Sequence, residues 1–507
     1  MIAQSEMDVI KYVQTDINGT ARYMGMAGAF GALGGDASAI KDNPAGLGIY
    51  RKSELVGSMS IMLQNSTSNW KDMKGNDSYG YGDMYKTGFN NFSLVFASPI
   101  LHNENQSTGL LSSNWSFGYN RLKDFNRTMN IKSGASSSSL TDFMGYFTRN
   151  IPYADLKYTS SYEPFSNNNV PWLSVLAFEG GLMKEFVNPS NQTDHWESFL
   201  NGSETVTPSY FLTEKGYLDE YSIGWAGNFS NMLYLGATAN LQSINYTSTS
   251  TYSELFGSGG GFDLKNTIIS KGTGVNLNVG AILRPTDFLR FGLAFHTPTI
   301  YAMNDQYSAT LNYDTDIKSS ISTPTDGVNE FQLQGPMQVN ASAALVVGKK
   351  GIISAEYDFS NYTGTRLMNK DGNAEDYTAE NNGMKDMLND VTTIKIGGEY
   401  KLTDNFSLRA GYANMSVATK AEAQKYMVKN TIRTDTEYFL HNGTNYITAG
   451  FGYREASWFI DFALMHKILD EHYMSFNSNL LNPEYAVTPA SVSTVTNNLV
   501  VTLGLKF

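Results

Sequence analysis

Residues that could carry catalytic chemistry are few in this chain of 507 residues, and their spacing matches no catalytic or metal-binding motif. The six histidines are scattered, and no Gly-x-Gly-x-x-Gly, P-loop or His-Glu-x-x-His pattern occurs. His466 and His472 lie near the end of a predicted strand, where a solvated imidazole is the ordinary case. Without cysteine, neither a disulfide nor a thiolate metal site can form. The sequence therefore predicts no enzyme activity, no cofactor and no metal centre.

The side chains best suited to contact a ligand lie in a glycine-rich stretch from Gly19 to Arg51. Eight glycines fall between Gly19 and Gly48, among Ala, Met and Phe residues and few charges. Glycine costs about 1 kcal/mol at each interior position of a helix, so this composition predicts a compact, irregular unit in which backbones approach closely. Methionine suits a surface that accepts varied apolar shapes, although a packed core would use the same residues. The candidates for substrate contact are Met24, Met26, Phe30 and Leu33.

A turn is predicted at Asn43-Pro44-Ala45, near the end of this stretch. Pro44 has no backbone N–H and disfavours a helical conformation at Asn43, which forces the chain to turn there. The Asn43 side chain can also bond nearby backbone groups. We therefore predict a fixed turn, and Asn43, Pro44 and Ala45 are the candidates for gating.

Charged residues also fall on the sides of predicted strands that carry polar side chains. Such charges could guide a substrate, but an internal network in which they compensate one another is the favoured interpretation, because buried charges need partners. These residues are Arg290, Glu356, Asp358, Arg409 and Asp461.

Long β-strands are the elements predicted to position these residues. Leucines and alanines at odd positions from Leu233 to Leu241 alternate with more polar residues, which is the pattern of a strand with two different faces. Similar alternation predicts fourteen strands, at residues 53–66, 88–101, 113–127, 217–230, 232–247, 272–285, 287–302, 331–347, 351–362, 391–402, 404–415, 445–455, 457–468 and 493–507.

The lengths of these strands and of their connections indicate the fold class. Most of the strands are longer than typical sandwich strands and long enough to cross a bilayer at a tilt. Short turns and long loops alternate, with long loops at 67–87, 128–216, 248–271, 303–330, 363–390, 416–444 and 469–492. Short turns at one rim and long loops at the other are typical of bacterial outer-membrane barrels. The predicted fold is all-β, a 14-stranded antiparallel transmembrane β-barrel.

Composition narrows the class of partner. The net charge of −12 argues against nucleic acid, since phosphate binding needs a basic surface. No run of about 18 apolar residues occurs, so we expect no helical membrane span. The 31 Tyr and 28 Phe suit a protein whose aromatic side chains meet membrane–water interfaces.

The final predicted strand ends in an aromatic residue. Alternate residues from Leu499 to Phe507 form one apolar face. A terminal aromatic residue on an alternating strand resembles the signal by which outer-membrane barrels are recognised by the barrel assembly machinery. Phe507 is therefore predicted to be an assembly signal, and that machinery a partner.

Three segments resemble FadL-type outer-membrane transporters of long-chain fatty acids and other hydrophobic compounds. The pattern Gly-Asp-Ala-Ser-Ala at 35–39, followed by Asn-Pro-Ala at 43–45, resembles the N-terminal hatch of that family, and residues 275–303 and 395–414 resemble its paired barrel strands. The resemblance implies a small hatch, or plug, at 1–52 inside the lumen of a barrel at 53–507. The insertion at 128–216 departs from the family pattern; we expect it to be extracellular and to hold short helices within 140–156 and 173–186.

The resemblance implies a passive, hatch-gated channel of the Gram-negative outer membrane that takes up hydrophobic small molecules such as long-chain fatty acids. In that family the ligand leaves sideways through a gap beside a kinked strand, which by position would be 113–127. The lateral-opening candidates are Gly118, Tyr119, Asn120 and Arg121. Sideways exit is physically reasonable, because an apolar ligand prefers the bilayer to water by about 0.8 kcal/mol per CH₂ group.

Partners and orientation follow from the same resemblance. It implies a monomer in contact with outer-membrane lipid and lipopolysaccharide, with both termini periplasmic. The alternative function is a barrel scaffold or shuttle component of a protein-secretion or surface-attachment complex, with 128–216 as its docking surface. Ligand bound in the lumen would favour transport, whereas co-purified secretion proteins would favour docking.

Overall fold

Nineteen strands of the chain join into one antiparallel sheet that closes on itself. We describe it from a computed structural model, which covers residues 6–100, 107–186, 195–202, 204–314, 318–325, 327–348, 350–428, 431–481, 483 and 486–507. The first strand, β1 (Glu54–Asn69), pairs with the last, β21 (Ala490–Lys506), from Glu54–Lys506 to Asn69–Ser491. This pairing closes the barrel.

The other strands follow in chain order. They are β2 (Tyr79–Pro99), β3 (Leu110–Asp124), β4 (Arg127–Lys132), β5 (Met183–Phe186), β6 (His195–Ser198), β7 (Val206–Phe229), β8 (Leu233–Phe256), β9 (Gly261–Leu283), β10 (Leu289–His296), β11 (Ile300–Asp314), β12 (Lys318–Ser322), β13 (Gly327–Gln334), β14 (Gln338–Val347), β15 (Gly351–Ser360), β16 (Arg366–Asn369), β17 (Val391–Lys401), β18 (Phe406–Met415), β19 (Tyr438–Arg454) and β20 (Trp458–Met474). The hairpin of β5 and β6 forms a separate sheet.

The predicted fourteen-stranded barrel is confirmed, with four of its wall strands interrupted. These wall strands consist of β3 with β4, β10 with β11, β13 with β14, and β15 with β16. Pro298 and Pro336 lie in two of the interruptions, where proline cannot donate a ladder hydrogen bond. The short strand β12 only extends a hairpin from β11.

Several predicted strand ends were wrong at the rim with the long loops. β7 begins at Val206 instead of 217, β8 continues to Phe256 instead of 247, and β9 begins at Gly261 instead of 272. Outward-facing positions there are mostly Ser, Thr, Asp and Lys, so apolar alternation stops although the backbone ladder continues. Both ends of the predicted 128–216 insertion therefore belong to strands.

Burial along the strands agrees with the predicted register. Leu241 is 49% exposed on the outer face, whereas its neighbour Asn240 is 4% exposed and faces the lumen. Exposed apolar side chains such as Val279 and Leu293 form a belt around the outside of the barrel. This is the surface that a bilayer would cover.

Helices lie inside the barrel and over one of its ends. The helices are α1 (Glu6–Val13), α2 (Ala21–Gly25), α3 (Leu140–Phe147), α4 (Tyr153–Leu156), α5 (Trp172–Glu179) and α6 (Thr378–Met387), with short 3-10 helices at Ser38–Lys41, Pro44–Ile49, Pro164–Ser166, Tyr362–Gly364, Glu375–Tyr377 and Ser478–Leu480. Among the described residues, no helix has the length and apolarity that a membrane crossing requires.

A cap formed by α3, α4, α5 and the β5–β6 hairpin covers the rim with the long loops. Its apolar residues Phe143, Leu173 and Trp196 belong to the same buried cluster as Tyr252 and Leu311 of the barrel strands. The helices expected within 140–156 are α3 and α4. The segment expected at 173–186 holds α5 and then the strand β5. The cap and the strand ends therefore share one core.

Two arginine substitutions on the outer face of β9 test the position of the apolar belt. Arginine at a lipid-facing site near the bilayer midplane costs about 2–4 kcal/mol, so Val279→Arg should sharply lower the folded yield in lipid vesicles. Thr267→Arg is the matched control, since it lies on the same face of β9 about 40 Å further along the strand. Equal yields of the two variants, measured by heat-modifiable gel mobility, would contradict the assigned belt.

Candidate functional site

The predicted hatch is a packed plug inside the barrel. Met24, Met26 and Phe30 are fully buried and Leu33 nearly so, and all four belong to one core cluster with side chains of the barrel wall. None of them lines either of the two lumen cavities among the described residues. The sequence left open whether these residues contact substrate or form a packed core. Their packing in the structure fits the packed core. Their contact with substrate stays a prediction.

The Asn43 turn joins the hatch to the wall. Asn43 caps the 3-10 helix Pro44–Ile49, since its Oδ1 accepts a hydrogen bond from the Ala45 N–H at 3.1 Å. Its Nδ2 donates to the carbonyl oxygens of Gly31 at 2.7 Å and of Ala281 on β9 at 3.3 Å. One amide side chain thus connects the turn, the hatch interior and the barrel.

Paired glycines on neighbouring strands make room for the hatch backbone. Gly236 and Gly280 are register partners on β8 and β9. A Cβ atom on Gly280 would lie 2.0 Å from Asn43 Oδ1, and one on Gly236 would lie 2.5 Å from the Pro44 carbonyl oxygen. Every other residue type is therefore too large at these positions without displacing the turn.

A second glycine pair receives another part of the hatch. Gly397 and Gly411 are register partners on β17 and β18. Their added Cβ atoms would lie 2.4 Å from the Met26 carbonyl oxygen and 2.5 Å from its carbon. The hatch thus rests on two separate sides of the wall.

Buried ion pairs connect α2 to three strands of the wall. Arg22 donates two hydrogen bonds to Glu399, at 2.9 and 3.1 Å. Arg409 bridges Glu399 and Asp461, with both contacts at 2.6 Å. Breaking such a pair would leave an uncompensated buried charge, so the network fixes the position of the hatch more than it adds stability.

The remaining charges singled out in the sequence also have internal partners. Lys395 contacts Glu356 and Asp358, each at 2.7 Å. Glu356 also accepts a hydrogen bond from the Gly31 N–H at 2.6 Å, and Arg290 donates to the Leu33 carbonyl at 2.9 Å. These contacts fit the internal network better than a free row of charges that guides a substrate.

One cavity of the lumen lies beside α1, and we call it the main cavity because it borders both the hatch and the kinked end of β3. Apolar side chains, among them Ile10, Phe125, Leu212, Ile268 and Phe439, form part of its lining. The lining also carries twelve charged residues, which are Asp8, Lys11, Asp16, Lys123, Asp124, Arg127, Glu214, Lys425, Asp435, Glu437, Lys467 and Glu471. The cavity is therefore amphipathic.

Polar contacts hold α1 beside this cavity, and one of them joins the hydroxyls of Tyr12 and of Ser270 on β9 at 2.7 Å. Asp8 pairs with Arg433 at 2.8 Å, and Lys123 of β3 donates to the Lys11 carbonyl at 3.0 Å. Burial alone would raise the pKa of the Asp8 carboxyl, but the charges of Arg433 and Lys11 hold that pKa below its usual range. Among the described residues, no carboxylate forms an ion pair with Lys123, so its ammonium keeps donors for a ligand.

The wall is incomplete between β2 and β3. Their ladder runs from Pro99–Ser112 to Asn91–Asn120 and ends there. Beyond Asn120, β3 follows β7 with a register shift between Arg121 and Lys123. On the described edge that faces β3, residues 79–90 of β2 have no ladder partner. We call this edge, together with 121–126, the seam.

The sequence located the seam only in part. Of the lateral-opening candidates, Gly118, Tyr119 and Asn120 still pair with β2, and Arg121 is the first residue beyond the ladder. The register shift falls within the strand 113–127 that was predicted to be kinked, but the unpaired β2 edge was missed. In the sequence, only the loss of apolar–polar alternation after Asn120 indicated that the wall is irregular there. A role in ligand exit stays a prediction.

In the part of the chain that the structure describes, no three His, Asp or Glu side chains cluster closely enough to hold a metal ion. Phe507 pairs with Ser53 through two backbone hydrogen bonds and is 66% exposed. Its function as an assembly signal stays a prediction.

Comparison with known proteins identifies the family. Residues 218–483, more than half of the chain, match the family model of the outer membrane protein transport proteins (OMPP1/FadL/TodX). The chain belongs to this FadL/TodX family of outer-membrane transporters for hydrophobic compounds, and it is a channel protein and not an enzyme. No curated protein sequence matches it significantly.

Solved structures support the same fold. A FadL homologue of Pseudomonas aeruginosa superimposes with a TM-score of 0.53 at 12% identity, over 97% of this chain and 99% of that one. The toluene transporter TodX of P. putida gives a TM-score of 0.51 at 12% identity, over the same shares. At such identity the likeness concerns the fold alone.

The Gly236–Gly280 pair allows a direct test of whether ligand uptake depends on the Asn43 turn. Gly280→Ala should displace Asn43 and loosen the hatch, at a cost of about 1–3 kcal/mol for overpacking. We expect faster proteolysis of the hatch and altered ligand uptake, with the barrel still heat-modifiable on gels. Gly57→Ala is the control, because its Cβ would meet only Phe92, at 3.9 Å. Unchanged uptake with a cleavable hatch would show that gating does not depend on an anchored Asn43 turn.

Proposed function

We propose that this protein is a passive channel for amphipathic hydrophobic molecules with an anionic head and a long apolar tail, such as long-chain fatty acids. The ligand occupies the main cavity and leaves sideways through the seam into the bilayer. The observation that carries this proposal is the amphipathic cavity bordered by the kinked end of β3. Family membership supports the broader class of substrate, which is hydrophobic compounds that cross the outer membrane.

The chemistry of the cavity favours an amphipathic ligand over a neutral hydrocarbon. Lys123 offers a charged donor, while Phe125, Leu212 and Ile268 offer apolar contact. A carboxylate that replaces water at Lys123 gains a charge-assisted hydrogen bond. A neutral ring such as toluene, which the name of TodX gives as its substrate, would desolvate the same ammonium without compensation.

Sideways exit follows from where the wall lacks hydrogen bonds. Opening a paired ladder inside a bilayer would expose backbone groups at a cost of several kcal/mol each. The seam requires no such break, and residues 123–127 line the cavity directly behind it. For a sixteen-carbon tail, entering the bilayer instead of water gains on the order of 10 kcal/mol.

Gating by the hatch is assigned to its N-terminal part. α1 lines the cavity through Met7, Ile10 and Gln14, whereas 19–50 is tied to the wall by the glycine pairs and the ion network. Ligand arrival would shift α1 and leave the rest of the hatch in place. In this arrangement the short turns and both termini face the periplasm, and the cap faces outward.

Ligand retention tests the proposed substrate class. Native mass spectrometry of the detergent-extracted protein, loaded with hexadecanoate or with toluene, should show retained hexadecanoate. Lys123→Met should weaken hexadecanoate binding about 10- to 100-fold, the equivalent of a lost charge-assisted hydrogen bond, and leave toluene binding unchanged.

Lys123→Arg serves as the control, because it keeps the charge. Retention of toluene but not of hexadecanoate by the wild-type protein would contradict the amphipathic class. Co-purification of secretion proteins with an empty lumen would instead support the scaffold alternative.

A further inference from the structure

The seam is bridged by side chains where its backbone ladder is missing. Beyond the last ladder pair, Asn91–Asn120, the Lys86 ammonium contacts the Asp124 carboxylate at 2.9 Å. The ring of Phe89 stacks on that of Tyr119, with centroids 5.8 Å apart. The ion pair and the ring stack therefore connect β2 to the kinked strand.

Asp124 is the anchored partner of the ion pair. Its Oδ1 accepts a hydrogen bond from the Asn126 N–H at 2.9 Å, and its Oδ2 lies 3.5 Å from Arg121. Arg121 in turn donates to Asp219 of β7 at 2.5 Å. This side of the seam is fixed to the adjoining wall.

Lys86 is the releasable partner. The ion pair with Asp124 is the contact that the structure shows for its ammonium, and its side chain is 29% exposed. Ion pairs that keep access to water are weak and exchange readily, unlike a ladder of backbone hydrogen bonds. The contact can therefore open without unfolding either strand.

In the described structure, β2 can move outward without breaking a backbone ladder to the strand behind it. β4 passes on the lumen side of β2, where a Cβ on Gly80 would lie 1.9 Å from the Asn130 carbonyl oxygen and one on Gly82 2.4 Å from that of Thr128. β2 therefore overlaps β4 from outside instead of pairing with it edge to edge. Outward movement of β2 separates two packed surfaces and leaves the β4–β7 ladder intact.

We propose that Lys86 and Asp124 form an electrostatic latch that holds the seam closed and limits the rate of sideways exit. This latch rests on the proposed function, since it regulates the same exit. Asp124 also borders the main cavity, so the latch lies between the ligand and the bilayer. Lys86 is a positioning residue of the exit and does not line the cavity.

Reversible cross-linking tests the latch. The natural chain has no cysteine, so Lys86→Cys/Asp124→Cys provides one reactive pair. A short bifunctional thiosulfonate should lower uptake of labelled hexadecanoate at least tenfold, and reduction should restore it. Ser98→Cys/Ser113→Cys is the control pair, because these residues are already register partners in the ladder. Native uptake by the cross-linked latch variant would overturn the proposal.

The opposite change supplies a second, independent measurement. Lys86→Met keeps the length of the side chain but removes its charge, and should raise the rate of uptake severalfold. Lys401→Met, at an exposed site on β17, should have no effect. An unchanged rate in Lys86→Met would also contradict the latch.

Measuring whether the protein retains hexadecanoate distinguishes a failure of the latch from a failure of the proposed function. If the cross-linked protein still binds hexadecanoate in native mass spectrometry and transports it normally, the latch alone is wrong. If the wild-type protein binds no hexadecanoate, the proposed function itself is wrong.

Discussion

The requirement that every backbone N–H and C=O inside a bilayer finds a partner within the protein governs this structure. It is met by a sheet that closes through the pairing of β1 with β21 and continues around the wall. The same requirement restricts where anything can leave the barrel. Only a place without ladder hydrogen bonds can open at low cost, and residues 79–90 of β2 form such a place beside the kinked end of β3.

The contents of the lumen impose a second restriction. Glycine pairs accept the hatch backbone at distances that no side chain tolerates, and Arg22, Glu399 and Arg409 tie it to the wall through buried charge. A plug held in this way is costly to move as a whole. α1 lies outside these glycine pairs and ion pairs and borders the amphipathic cavity. In the proposed mechanism, motion confined to α1 and the seam allows a filled barrel to pass a ligand.

The sequence predicted the barrel well because strand alternation is a local signal. It failed at the outer strand ends, such as Val206 and Phe256, because Ser and Thr replace apolar residues once a strand leaves the bilayer while pairing continues. The buried hatch followed from its glycine content. The wall residues that contact the hatch could not be predicted in this way, because Asn43 and Gly280 are more than two hundred residues apart in the chain. The Lys86–Asp124 contact was invisible for the same reason, since neither residue belongs to a motif.

The route of the ligand is the central claim, and photolabelling tests it most directly. A hexadecanoate that carries a diazirine in its tail would be taken up by cells producing the protein, activated by light, and its attachment sites mapped by mass spectrometry. Sideways exit predicts labels at Phe125 in the cavity, at Phe89 on the seam and at Tyr119 beside it. Labels within the hatch core at Met24 to Leu33, with none on the seam, would show a straight path through the plug and contradict the account.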